Sequence, residues 1–350
     1  MKRFIRYLFL ILNGIAALLL VVSYLSPKID PQLVWWPSLL GLAYTYLIII
    51  NIGFVILWFI FYWKYTFVSI ICLLIGWRIH QNLFQFNGKE NNDTGIKVLS
   101  YNVLHFYSYL EGKKNDTAIL DFIADQHANI ICLQETKLQK SGALNPIRLK
   151  NYFPGINHCQ LAHQSQWGGP VTFTSYPILN MGELRFEDTN NMVIYTDVLI
   201  DKDTLRIYNC HLQSYGIRTD DYSVIDTLGF QRKQLREMKQ LGIKLKDAYK
   251  QRSGQIKQLK ESIDECPYPI IVCGDFNDTP VSFTYHTIHS SLHDAFVESG
   301  KGVSNTYRGK LPSFRIDYIF YSDDFEAFNY RRPHVEFSDH FPISAKLIMK

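Results

Sequence analysis

The segment Pro269-Ile270-Ile271-Val272-Cys273-Gly274-Asp275-Phe276-Asn277-Asp278 carries the clearest chemistry in the chain: a fully apolar run, a glycine, then Asp275 and Asn277 one residue apart. In extended backbone the two point to the same side, which sets a carboxylate able to activate water beside an amide donor. An Asx-rich turn leading through Pro280 accounts for the same residues without chemistry. In Asn129-Ile130-Ile131-Cys132-Leu133-Gln134-Glu135-Thr136, four apolar residues and a glutamine lead out to Glu135. A carboxylate there is either solvated at a sheet end or holds a cation. His211 closes the run from Leu205 to Leu212, where a histidine serves as a hydrogen-bonded core residue or as a catalyst. Asn102, near the end of the run Lys97 to Val103, taken alone fits a turn or cap. Asp317 sits among apolar neighbours from Phe314 to Phe320 and needs a partner, for which His340 of Ser338-Asp339-His340-Phe341-Pro342 is chemically suited. Asp339 and His340 are adjacent, so extended backbone turns them opposite ways and different tasks are expected of them.

These groups follow the apolar parts of short β-like runs that alternate with helical stretches from about Ile96 onward. That placement puts functional side chains at strand ends, where sheets form clefts. No internal repeat or low-complexity tract interrupts the pattern. The ordered set SYNV, LQET, NCHL, GDFND, RIDYIF and SDHFPI resembles the endonuclease/exonuclease/phosphatase superfamily across residues 96–350. Deoxyribonuclease-like nucleases, abasic-site endonucleases, inositol polyphosphate phosphatases and neutral sphingomyelinases belong to it. A single GDFN tetrapeptide is a weak signal; six motifs in order are a specific one.

The resemblance implies an α/β fold, a two-layer β-sandwich of mixed sheets flanked by helices. It implies Glu135 as main ligand of a magnesium-like ion, with Asn102 and Asp339 arranging the ion and its water shell; Mn2+ and Ca2+ are alternatives in a hard, oxygen-rich site. Asp275 would position or deprotonate the attacking water, and Asn277 would hold a phosphate oxygen. His340, oriented by Asp317, would donate to the phosphate as charge builds, and His211 would assist the departing side. In-line attack needs a placed nucleophile and neutralised charge, which this set supplies. One departure is Leu104, which fills a position where abasic-site endonucleases carry an acid. Together with His211 in the NCHL run it points away from abasic-site repair.

The 350 residues of the chain suit a domain of ordinary size plus an appendage. Hydrophobic residues make up 47% of the chain but gather in long uncharged runs before about residue 86. Tyr7 to Leu25 and Leu39 to Trp63 are each long enough to cross a hydrocarbon core of about 30 Å. Trp35, Trp36, Trp58 and Trp63 suit an interfacial belt. Tyr65 to Trp77 falls short unless its helix continues toward Phe86. The expected division is a two- to three-helix anchor at 1–86 (helices about 7–25, 39–63 and 65–86), a polar linker at 87–95 and the catalytic domain at 96–350. Lys2, Arg3 and Arg6 precede the first span, which places the N-terminus inside. Three spans then deliver the domain to the extracytoplasmic side, and two leave it in the cytoplasm. A cleaved signal peptide competes for the first run, but no A-x-A-like site follows it.

A net charge of +4 is too weak to argue for nucleic acid. The six cysteines show no CxxC or Cys/His spacing, so buried free thiols are expected. Between Asp226 and Glu265 a basic helical stretch could track a nucleic-acid backbone or anionic headgroups, or simply be solvated. The expected activity is therefore that of a multi-pass, membrane-held, metal-dependent nuclease or phosphodiesterase. A phospholipid or inositol-type phosphohydrolase is the alternative, and a tethered binding module without chemistry is a third reading. Completeness of the eight site residues argues against the last.

Overall fold

A computed structural model of the chain, describing residues 3–86, 88–108, 113–114, 116–137, 144–162, 168–216, 232–308 and 314–350, turns the apolar runs beyond residue 95 into strands. In chain order they are β1 (Ile96–Asn102), β2 (Tyr107–Ser108), β3 (Lys113–Lys114), β4 (Ile130–Thr136), β5 (His158–Leu161), β6 (Gly169–Thr174), β7 (Ile178–Arg185), β8 (Met192–Ile200), β9 (Asp203–His211), β10 (Ile270–Asp275), β11 (His293–Asp294), β12 (Asp317–Tyr321), β13 (Phe325–Arg331) and β14 (Ile343–Met349). Two six-stranded sheets result, in the orders β13-β14-β1-β4-β6-β5 and β11-β12-β10-β9-β8-β7; β2 and β3 form a separate hairpin. Each sheet has one parallel pair at its centre, β1 with β4 and β9 with β10, and antiparallel neighbours outside it. Parallel strands require crossovers, and the helices Asp116–Asp125 and Arg232–Asp264 lie in those two connections.

Period-two alternation divides each central strand between two cores. Val98, Ile130, Cys132, Ile207, Ile271 and Cys273 face the space between the sheets. Leu99, Tyr101, Ile131 and Leu133 face outward onto Ile119, Leu120 and Ile123 of the first crossover helix. Tyr208, Cys210, Ile270 and Val272 pack on Ile256, Leu259 and Ile263 of the second. Cys132, Cys210 and Cys273 are buried, and all six cysteines are free thiols, as their apolar surroundings suggest.

Before the sandwich stand two helices long and apolar enough to cross a membrane, Arg3–Ser23 and Tyr44–Phe61. The second uncharged run is not one helix: Pro37–Leu42 precedes it as a separate turn and a half, broken at Ala43. The third expected helix, 65–86, is corrected more strongly, since only Thr66–Ile75 and Trp77–His80 are helical there. The Tyr24 hydroxyl donates to the Cys72 carbonyl at 2.8 Å, taking the acceptor that the Gly76 N–H would use in a continued helix. Gly76 lies against the Tyr24 ring so closely that a Cβ would meet it at 2.3 Å. The broken segment nevertheless runs antiparallel to Tyr44–Phe61 along its length, because Tyr65 stacks edge-on to Trp58 and His80 bonds the Tyr44 hydroxyl.

The outer surface of this bundle is apolar, with Ile11, Leu18, Ile49, Phe59, Ile71 and Leu74 exposed, while its interior holds a polar cluster beside the buried Ala16, Ala17, Leu20 and Leu47. Asn13 donates to Ser69, Ser69 to Asn51, and the Trp58 indole to Asn13, at 2.7–2.9 Å. Small and amide residues at helix contacts beneath an apolar exterior are a pattern of helices that associate in lipid. Of the expected linker at 87–95, the described residues 88–95 lie along the sandwich: Asn329 donates its backbone N–H to the Lys89 carbonyl, and Asn91 donates its own to the Asn329 side chain.

Candidate active site

Four strand ends meet between the sheets: Asn102 closes β1, Glu135 lies at the end of β4, His211 closes β9 and Asp275 closes β10. Three backbone departures bring their side chains together. Period two would turn Glu135 away from the inner face that Gln134 occupies, but Glu135 adopts φ +53° and the β4–β6 register shifts between Leu133 and Thr136. Such a bulge re-aims a side chain. Gly274 has φ +136°, and a Cβ there would sit 2.0 Å from the Cys210 carbonyl oxygen, so only glycine lets β10 run this close to β9 ahead of Asp275. Asn277, at φ +53°, folds back on Asp275.

Asn102 is the hinge of the arrangement. Its Nδ2 donates to Glu135 Oε1 at 3.2 Å and to Asp275 Oδ2 at 3.1 Å, joining the two sheets' carboxylates. His211 Nε2 lies 3.5 Å from Glu135 and 4.0 Å from Asp275. His340 Nδ1 is 2.9 Å from Asp317 Oδ2, and its Nε2 is 3.6 Å from Asp275 Oδ2. Thr306 Oγ1 accepts from the Asp317 backbone N–H at 3.1 Å and so fixes where that carboxylate starts. Glu135, Asp275, Asn277, Asp339 and His340 line one cavity of about 200 Å3, walled also by Tyr215, Tyr307, Phe314 and Ile316. All eight residues expected from sequence lie in or around this cavity.

Two expectations about orientation change. Asp339 and His340 do not face apart; both line the cavity, because the chain bends through residues 337–339 and the Ser338 hydroxyl, which donates to the Asn102 carbonyl, ties the bend to β1. Asn277 and Asp275 are joined by an Asx turn, the Asn277 N–H donating to Asp275 Oδ1 at 2.8 Å. The Asn277 carboxamide donates to the Leu212 carbonyl at 2.9 Å and to Asp275 Oδ2 at 3.2 Å. Its two N–H groups are thus committed, one to the Leu212 carbonyl and one to Asp275, rather than left for a phosphate oxygen.

Burial pushes the Asp275 carboxyl up to about 6, with the nearby His340 opposing and Asp317 adding to the rise. Burial also works against charge on His340, yet Asp317, Asp275 and Asp339 together hold its imidazole protonated well above the usual histidine range. Burial would raise Glu135, but His211, the Asn102 amide and His105 hold it below the ordinary carboxylate value. Asp339 is raised by burial, with Glu135 adding and His340 opposing. A carboxyl poised near 6 beside a protonated imidazole is a base next to a hydrogen-bond donor.

Glu135 and Asp339 offer hard carboxylate oxygens to the cavity, and neither pairs with lysine or arginine among the described residues; Asn102 orients Glu135 through its Nδ2, while its amide oxygen accepts the Leu104 N–H at 3.2 Å. That set fits a magnesium-like ion. Asp275, Asp317 and His340 also lie close enough together to hold an ion. The Asp317–His340 hydrogen bond already ties those two together, so the Glu135 end is the better fit.

A model described as the Endonuclease/Exonuclease/phosphatase family matches residues 99–340, more than half of the chain. The chain belongs to this family. Its members are hydrolases of phosphoester bonds that generally use divalent metals. A second model, a domain of unknown function (DUF8431), matches residues 6–83. Solved structures with this fold include an endonuclease/exonuclease/phosphatase from Bacteroides vulgatus, 17% identical with a TM-score of 0.51, covering 74% of this chain and 100% of that one. Another from Beutenbergia cavernae DSM 12333 is 14% identical, TM-score 0.50, over 73% and 72% of the two chains. The human Nocturnin catalytic domain, solved with a bound sulfate anion, is 19% identical, TM-score 0.50, over 73% and 95%. No curated protein matches the chain. At these identities the structural likeness is one of fold.

Within this family fold, three contributors escaped the sequence. His105 reaches Glu135 at 3.5 Å from a left-handed stretch, Leu104 to Phe106, that no pattern announces. Gln134 donates to Asn209 across the sheets at 2.8 Å, and Asn209 donates on to the Val171 carbonyl, a buried polar link beneath the site. Arg252, fully buried, pairs with Asp278 at 2.9 Å and lies over the Tyr215 ring. Their residue types were visible, but their partners are distant in sequence.

Proposed function

We propose that this chain is a membrane-held, divalent-metal-dependent phosphodiesterase that cleaves a phosphoester by in-line attack of water. The observation that carries the reading is the junction made by Asn102, which holds the Glu135 end and the Asp275–His340–Asp317 end of the site in one cavity. Asp275 takes the proton of the attacking water, held in position by Asn277 and Asn102. His340, kept protonated and oriented by Asp317, donates to a phosphate oxygen as negative charge grows there. His211, 3.5 Å from Glu135 and 4.0 Å from Asp275, assists the departing side. Glu135 would be the main holder of the ion, with Asp339 and Asn102 arranging it and its water shell, and the ion when bound would neutralise charge on the phosphate. Nuclease action is one form of this chemistry. The basic helix that would track a nucleic acid, however, engages Arg252 with Asp278, Lys257 with Asp30 and Lys260 with Asp264, and residues 226–231 and the side chains of Arg232 and Lys233 lie outside the described residues.

The full-length chain is expected to hydrolyse bis(p-nitrophenyl) phosphate with magnesium and to stop when the ion is chelated. Glu135→Gln should raise the magnesium concentration for half-maximal rate about 10- to 100-fold. Turnover that persists in chelator, or a Glu135→Gln enzyme with unchanged magnesium dependence, would sink the assignment.

The N-terminal bundle supports a multi-pass anchor with the catalytic domain on the extracytoplasmic side. Arg6 lies over the Tyr62 ring at one end of the bundle, while Tyr44 and His80 meet at the other, from which Asn82 and Gln85 enter the sandwich. N-terminus and catalytic domain therefore sit at opposite ends. A single cysteine placed on the exposed Lys301, with the six native cysteines replaced, is expected to react with an impermeant maleimide in intact cells. Labelling only after lysis would move the domain to the cytoplasm.

A further inference from the structure

Phe314 is a shared wall between two cavities. One is the site described above. The other, about 110 Å3, opens where the N-terminal helices meet the sandwich, between Leu42, Thr45 and Leu83 on one side and Pro280, Val281 and Val303 on the other. A few residues of chain connect them, since Asp275 and Asn277 face the first and Thr279 to Val281 the second. The second cavity is walled largely by hydrocarbon. The one charged residue among its described lining residues, Arg315, is 4% exposed and already bonded to Asp294 at 2.6 Å and to the Asn82 carbonyl at 2.7 Å. Apart from the exposed Thr45, its mouth is edged by apolar side chains: Val303 is 56% exposed, and Phe84 and Phe86 flank Gln85, which pairs with Gly302 beside it. Such a rim is costly in water and at home at a bilayer surface.

We propose that the substrate is a lipid phosphoester whose phosphate lies in the Glu135–His340 cavity while the first methylene groups of its chain pass Phe314 into the junction cavity. This rests on the phosphodiesterase reading above and names its substrate class. The bilayer entered by Arg3–Ser23 and Tyr44–Phe61 then supplies the remainder of the chain. Water adds to phosphorus, one ester P–O bond breaks and the leaving alkoxide takes up a proton, giving an alcohol and a phosphomonoester. A nucleic acid in the same pose would bring a second charged phosphate toward a cavity with no free cation among its described lining residues, at the cost of desolvating it.

The test uses the full-length chain in mixed micelles with magnesium, comparing kcat/KM for dipalmitoyl and dihexanoyl phosphatidylglycerol, a short single-stranded oligonucleotide and bis(p-nitrophenyl) phosphate. The long-chain lipid is expected to exceed the short-chain one by at least about tenfold, and Val303→Trp and Thr45→Trp, on opposite walls and both at exposed positions, should each cut that ratio about tenfold. Equal rates for the two chain lengths, a ratio unmoved by either substitution, or preference for the oligonucleotide over both lipids would overturn the proposal while leaving the phosphodiesterase reading intact. Absence of hydrolysis of every substrate would remove that reading and this one with it.

Discussion

Replacing Asp275 by asparagine is expected to lower kcat by about 10²- to 10⁴-fold, the usual range for loss of a general base, with KM little changed. The carboxylate is buried, held by two donors of Asn277 and one of Asn102, and asparagine keeps its volume. In the unmodified protein the rate should climb with pH and level off above about 6, because the carboxyl must be deprotonated to accept a proton and burial has pushed it up to about 6. The sign for stability is opposite. A carboxyl whose folded value lies above its unfolded one contributes stability that is fully present below the unfolded value and lost as pH rises through the folded one. The metal-free protein should therefore lose stability between about pH 4 and 6 from this group, and Asp275→Asn should remove that part of the slope. Rate profiles and urea midpoints across this range check both. An Asp275→Asn enzyme with near-normal turnover would show that another group accepts the proton.

Truncating His340 to alanine is expected to cost about 10²- to 10³-fold in kcat, the scale for losing one donor to developing charge. Here the structural consequence must be separated from the chemical one. His340 is buried and faces the carboxylates of Asp317 and Asp275, so its removal leaves buried acids without their cation, which costs roughly 3–5 kcal/mol where such pairs are broken. His340→Gln retains a neutral donor and much of the volume, and should fold more securely while staying at least about tenfold slow. Asp317→Asn supplies a readout that packing alone would not move: it removes the charge that keeps the imidazole protonated, so the alkaline limb of the rate profile should shift to lower pH. Folded His340→Ala protein, judged by circular dichroism, that retains most of its turnover would end the donor role.

Much of the fold was legible because its rules are local. Short apolar runs such as Val98 to Leu99 and Pro269 to Cys273 announced strands, and polar residues at their ends announced a cleft. What the pattern could not say was which way each end turned. Strict alternation aims Glu135 away from Gln134 and sets Asp339 against His340. A left-handed residue at Glu135 and the bend at 337–339 undo both. Neither position carries the glycine or Asn-Gly that would have signalled it. The third apolar run was similarly misjudged as one helix, since its break depends on the Tyr24 hydroxyl reaching the Cys72 carbonyl from another helix.

The sequence by itself determined the residue types of the site, the strands that bear most of them and the division between apolar bundle and sandwich, because these follow from side-chain chemistry and from backbone periods of a few residues. Only the tertiary structure decided that Asn102 would join Glu135 to Asp275, that Asn277 would donate to Asp275 and to the Leu212 carbonyl, and that Phe314 would stand between the Glu135–His340 cavity and the cavity where the N-terminal helices meet the sandwich. Those contacts join residues far apart in the chain or turn on single backbone torsions, and no local pattern encodes a distance of that kind.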